Sequence, residues 1–223
     1  MQKNFRFKSR HVLYILLLSG FTVAIAQPLK NKTTLSAPDK ISTADDTKVN
    51  SVDPGDKTDA ERKREQESAA AFIEAYKVFM HPRCMNCHPK ADAPLQGDDS
   101  HIHTQNVTRG PDGKGLYAMK CSNCHQAEHV PGQNMPPGHA QWHLPPANKK
   151  MVFEGMTPAQ LAANFKNDSF TGFKDFKKDM LHHVEHEPLV LNSWTYGTPP
   201  PLSHEEFVAK VKEWIDKGAV VPK

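Results

Sequence analysis

All four cysteines of this 223-residue chain fall in two copies of one short pattern, Cys84-Met85-Asn86-Cys87-His88 and Cys121-Ser122-Asn123-Cys124-His125. No other feature constrains the fold as strongly. In this spacing two thiols three positions apart reach the two vinyl groups on one edge of a porphyrin. The next residue, His, then comes under the iron. The pattern predicts two covalently attached haem c groups. Cys84, Cys87, Cys121 and Cys124 are the attachment points, and His88 and His125 the proximal iron ligands. Three other readings compete: two disulfides, a zinc ribbon or a redox dithiol. None of them explains a His directly after both pairs.

The N-terminus reads as a targeting segment. Lys3, Arg6, Lys8 and Arg10 precede an apolar run from Val12 to Ala24, and Ala24-Ile25-Ala26 is a small-x-small cleavage site. Residues 1–26 are therefore expected to be a signal peptide cut after Ala26, placing the rest in the periplasm. The apolar run is short for a spanning helix, and a membrane anchor follows only if the segment stays uncleaved. The whole chain carries 28 basic and 25 acidic residues. The signal takes four basic and no acidic residues with it, leaving a net charge of −1. The chain's basic isoelectric point is therefore no argument for nucleic-acid binding. Residues 27–57, rich in Lys, Thr, Ser, Asp and Pro, read as a disordered tether.

Residues 58–223 form the expected domain, all-α, with few short helices and long loops wrapped around the two haems. At 38% hydrophobic residues, with 18 Pro against 12 Gly, the chain suits short helices and stiff loops around groups that bring their own apolar bulk. Thr58-x-x-Glu61 can form a capping box ahead of Phe72, Tyr76 and Phe79. Pro82 stops that helix before Cys84. Thr157-Pro158 with Gln160 starts a short helix with Leu161 and Phe165 inward. Another runs from about Phe173 to Glu185. Ser203-x-x-Glu206 opens a last helix ending at Gly218, with Phe207, Val211, Trp214 and Ile215 as its buried stripe. No strand is expected.

The sixth iron ligands are less constrained. His183 shares a helical face with Phe176 and Met180, whereas His182 and His186 fall on the polar face with Asp175 and Asp179 and read as solvated. Met151 opens a loop ahead of a capped helix. Met151, His183 and His103 are the candidate distal ligands. Met151 and His183 also have a plainer reading as core residues. Met135 is a further option, Met119 reads as a packing residue, and the pair Trp142-His143 could pack on a haem edge.

Several runs resemble a family of bacterial dihaem cytochromes described alongside isoquinoline 1-oxidoreductase, a molybdenum hydroxylase. They are Arg83 to Pro89 around the first motif, Ala93-Pro94-Leu95-Gln96-Gly97-Asp98, Arg109-Gly110-Pro111-Asp112-Gly113 and Trp142-His143-Leu144-Pro145-Pro146. Met151-Val152-Phe153-Glu154-Gly155, Glu187-Pro188-Leu189-Val190 and Thr198-Pro199-Pro200-Pro201 complete the set. The resemblance covers about residues 70 to 220. It implies an electron-acceptor subunit or partner, not the hydroxylase. The ends are similar to class I cytochromes c, in which the two terminal helices cross. In this chain a helix runs into the first C-x-x-C-H, and the chain closes on Trp214-Ile215-Asp216-Lys217-Gly218-Ala219. His88 and Cys121 lie 33 positions apart, too close for two separate domains, so one compact unit is expected.

The implied function is electron transfer from a periplasmic dehydrogenase or hydroxylase to a downstream cytochrome or oxidase, with a redox protein as partner and no enzymatic step. A dihaem peroxidase and a haem-based gas or redox sensor are the alternatives. A carbon monoxide difference spectrum separates them, because six-coordinate carriers ignore the ligand.

Overall fold

Thr58 caps the first helix. Its hydroxyl accepts from the Glu61 backbone N–H and the Glu61 carboxylate accepts from the Thr58 N–H, which satisfies two otherwise orphaned donors reciprocally. Helix α1 follows over Asp59–Phe79. The computed structural model describes residues 57–132 and 134–223. The expected signal peptide and all of the expected tether except Lys57 lie outside the described residues.

Pro82 ends α1 and opens a single helical turn, α2 (Pro82–Met85), capped by the His81 side chain. A second box, between Thr157 and Gln160 with Pro158 in the first turn, starts α3 (Pro158–Phe165). A turn of helix, α4 (Asp168–Thr171), leads on to α5 (Phe176–His186) and α6 (Pro188–Asn192). A third box, between Ser203 and Glu206, starts α7 (His204–Asp216).

The core forms where α7 packs along α1. Phe207, Val211, Trp214 and Ile215 are buried on one face of α7, against Phe72, Ala75, Val78 and Phe79 of α1. The Phe72 and Trp214 rings lie 4.6 Å apart, and Phe79 meets Phe165 at 4.8 Å and Phe207 at 5.1 Å. Ser68, buried in this seam, donates to the Trp214 carbonyl at 2.8 Å and accepts from the Val220 N–H at 3.1 Å. A buried hydroxyl with both partners supplied costs little. The described residues form a single compact unit, and no helix among them is long and apolar enough to cross a membrane.

The chain is mostly helical, as expected, but not strand-free. Leu95–Gln96 (β1) pairs antiparallel with His101–Ile102 (β2), and Gly115–Leu116 (β3) with Met119–Lys120 (β4). Two-residue strands carry no alternating pattern for a sequence reading to find.

The turn just before the second hairpin meets a distant loop closely. Gly113 has φ +79°, and a Cβ there would lie 1.8 Å from the Leu144 carbonyl oxygen. The Leu144 N–H in turn donates to the Gly113 carbonyl at 2.9 Å. Gly113→Ala is expected to destabilise the chain by at least about 2 kcal/mol, from left-handed strain plus displaced backbone. Urea unfolding measures this. Unchanged stability would show that the segment around Leu144 yields freely.

Candidate functional site

The first motif runs from α2 into a turn. The Cys87 N–H donates to the Cys84 carbonyl at 3.2 Å and the His88 N–H to the Met85 carbonyl at 3.0 Å. The His88 ring stacks on Phe153 at 3.9 Å with planes 8° apart. Its Nδ1 lies 2.7 Å from the Met151 carbonyl oxygen. A carbonyl only accepts, so Nδ1 carries the proton and Nε2 keeps its lone pair. The Phe153 N–H closes the clamp by donating to the His88 carbonyl at 2.9 Å. Met151 thus acts on His88 through its backbone, held at φ +46°.

A cavity of about 480 Å³ opens at this motif. Cys84, Cys87 and His88 line it, together with Met151 and Phe153 from the loop and Met180 and His183 from α5. Five of the residues selected from sequence therefore share one cavity: Cys84, Cys87, His88, Met151 and His183. Phe79, Phe165, Val184 and Phe207 carry the helical core up to its wall. Arg83 and Lys149 also border it. The Arg83 guanidinium stands 4.7 Å over the Tyr196 ring, pairs with Asp98 and donates to the Thr198 carbonyl at 3.2 Å.

Burial sets the protonation of the site. It pushes the Cys84 thiol up to about 12, with Cys87 adding to the rise. It pushes Cys87 up to about 11, against the opposing charge of Arg109. Neither is a thiolate at neutral pH, which removes the activated-dithiol reading. Burial pulls His88 down to about 3, opposed by its bond to the Met151 carbonyl. His183 is lowered by burial as well, opposed by Glu187.

The second motif has the same histidine clamp in different surroundings. His125 Nδ1 lies 2.7 Å from the Pro137 carbonyl oxygen, and its ring stacks on Trp142 at 4.1 Å with planes 7° apart. Cys121 is buried, its thiol raised by burial and 3.9 Å from the Gly113 carbonyl oxygen, whereas Cys124 is exposed. His103 does not join His183 and Met151. Its ring centre is 6.4 Å from that of His125, and its buried Nδ1 has no hydrogen-bond partner. Burial lowers both His103 and His125. Met119 and Met135 are exposed, so the packing role expected for Met119 does not hold. Trp142 packs on the His125 ring, and His143 lines the large cavity.

The expectation of two haem c groups is corrected. Among the described residues no group of three or more His, Cys, Asp or Glu side chains comes together that could hold a metal ion. The four cysteines are free thiols, two partly buried, one buried and one exposed. The two motifs are not equivalent: the large cavity takes in Cys84, Cys87 and His88 but not Cys121, Cys124 or His125. The structure gives no support for two iron-bearing groups, and the zinc-ribbon alternative fails on the same observation.

Sequence reasoning named Arg109 only within a family-like run and did not anticipate that it is fully buried. Its guanidinium donates to the Pro145 carbonyl at 2.6 Å and the Ala91 carbonyl at 3.5 Å, with Asp92 3.9 Å from Nε. It ties the loop after the first motif to the loop before Met151. A charged residue next to turn signals carries no sequence mark of burial. Phe153, the stacking partner of His88, sits 65 positions away in sequence, and that pairing was equally hidden. Comparison with known proteins returns no matching family model, no matching curated protein and no matching solved structure.

Proposed function

We propose that this chain is an extracytoplasmic electron-transfer protein, a carrier and not an enzyme, whose working centre is the cavity at Cys84, Cys87 and His88. The observation that carries the reading is the composition of that cavity. Two protonated thiols, an imidazole with its Nε2 lone pair uncommitted and a wall of Phe, Met and Val side chains surround about 480 Å³. Such a space, mostly apolar with a few polar groups at one side, suits a largely apolar ligand oriented by a small number of polar contacts. The chain's own part is to bind and orient it, to exclude water and to keep the His88 proton on Nδ1.

The packing of α1 on α7 supports the cytochrome c-like frame that the two ends of the sequence resemble. The basic n-region and Ala24-Ile25-Ala26 support export to the periplasm. A dehydrogenase or hydroxylase partner, handing electrons on to a downstream acceptor, is the role the family resemblance implies.

The test is voltammetry of the intact protein, purified out of the compartment to which it is exported. The expected result is a reversible redox response of the intact protein that is lost when Cys84 and Cys87 are both replaced by Ser. No reversible redox response, or one unchanged in the doubly substituted chain, would end the electron-carrier reading.

A further inference from the structure

Helix α5 carries a second constellation on its outer face. His182 and His186 are exposed one turn apart, with ring centres 5.0 Å from each other and planes 58° apart. Residues four apart on a helix are surface neighbours. Together with His183, Asp179, Glu187 and Phe173 they line a cleft of about 320 Å³. We propose that His182 and His186 form a two-imidazole chelate for a divalent transition-metal ion, with water completing the coordination shell.

The ring separation carries the argument. A metal–nitrogen bond of about 2.1 Å plus about 1.1 Å from nitrogen to ring centre puts each centre about 3.2 Å from the ion. Two such rings then lie about 4.5 Å apart at a right angle and about 5.2 Å apart at the tetrahedral angle. The observed 5.0 Å falls between these limits. Two protein ligands are fewer than the three-residue groups that are missing among the described residues.

The surroundings favour a cation. The Asp179 carboxylate accepts from the Lys174 and Asp175 backbone N–H groups at 2.8 and 3.0 Å, which hold it ionised three positions before His182. Glu187 lines the same cleft, and the Glu185 carboxylate is 3.5 Å from His186 Nε2. That last contact is an exposed pair, weak enough for a metal to displace. Imidazole suits nickel, copper and zinc over calcium and magnesium.

The experiment is calorimetric titration of the full chain with Ni²⁺ and Co²⁺ at pH 7.5, with paramagnetic broadening of backbone amide signals to locate the ion. Ni²⁺ is expected to bind more tightly than Co²⁺ and to broaden signals of α5. His182→Asn and His186→Asn are each expected to weaken Ni²⁺ at least ten-fold, with His129→Asn, an exposed histidine elsewhere, unchanged. Both α5 side chains are exposed, so circular dichroism should be unaltered. Wild-type affinity in the doubly substituted chain would overturn the site, as would broadening centred away from α5.

Discussion

Trp214→Ala is expected to cost about 3–5 kcal/mol of folding stability, the range for removing a large buried aromatic. Trp214 is fully buried and touches both ends of the domain. Its ring lies 4.6 Å from Phe72 of α1 and 5.4 Å from Phe176 of α5. Its indole N–H donates to the Val220 carbonyl at 2.9 Å, so truncation also strands a C-terminal acceptor. For a unit of this size about 1 kcal/mol moves the melting temperature by roughly 2–4 °C, so a fall of about 6–20 °C is expected. Trp214→Phe should cost less, because it retains the contact with Phe72 and loses only the indole bond and part of the volume. Thermal unfolding followed by far-ultraviolet circular dichroism measures both. Equal losses in the two variants would assign the stability to the hydrogen bond and not to packing.

What the sequence made legible is the chemistry that stays local. Thr58, Thr157 and Ser203 each cap a helix because the acceptor, the donor and the returning Glu or Gln lie within four residues. The stripe of α7 was readable for the same reason, its period being that of one helix. The face of α5 that carries Met180 and His183 inward and His182 and His186 outward also followed from spacing alone. The start of α5 was less readable. Asp175, expected on its polar face, is instead the N-cap, accepting from Lys177 and Lys178 N–H, and α5 begins at Phe176 rather than near Phe173.

The hidden part is everything that depends on long-range closure. Met151 was selected for its sulfur, yet its carbonyl 63 positions from His88 sets the orientation of that ring. His103 was grouped with Met151 and His183, yet the fold turns it toward His125. Arg109 is buried by two loops that only the tertiary structure brings together. The motifs were alike in sequence and differ in space, because burial and cavity shape come from the residues around them. The equal pair of metal centres read from the repeat was therefore a local inference carried too far.

Acidification is expected to destabilise the chain steeply, starting well above the carboxylate range. Burial lowers His88 in the folded state to about 3, whereas the unfolded value is about 6.5. Above about pH 6.5 the ring is neutral in both states and contributes no pH dependence. Between about 6.5 and 3 the unfolded chain takes up a proton that the folded chain refuses. Stability then falls as pH falls, by up to about 1.4 kcal/mol per pH unit for each such histidine. His103, His125 and His183 shift in the same direction, each chiefly through burial, so the total slope should exceed that of one group. Urea unfolding of the chain with its four thiols free, at pH 7.5, 6.0 and 5.0, measures the effect. His88→Gln keeps a polar side chain with a donor for the Met151 carbonyl but has no titrating ring. Its slope is expected to be shallower than wild type by close to one proton, even where its stability at pH 7.5 is lower. Stability that stays level down to pH 5.0, or an unchanged slope in His88→Gln, would show that the His88 ring takes up its proton without leaving the fold.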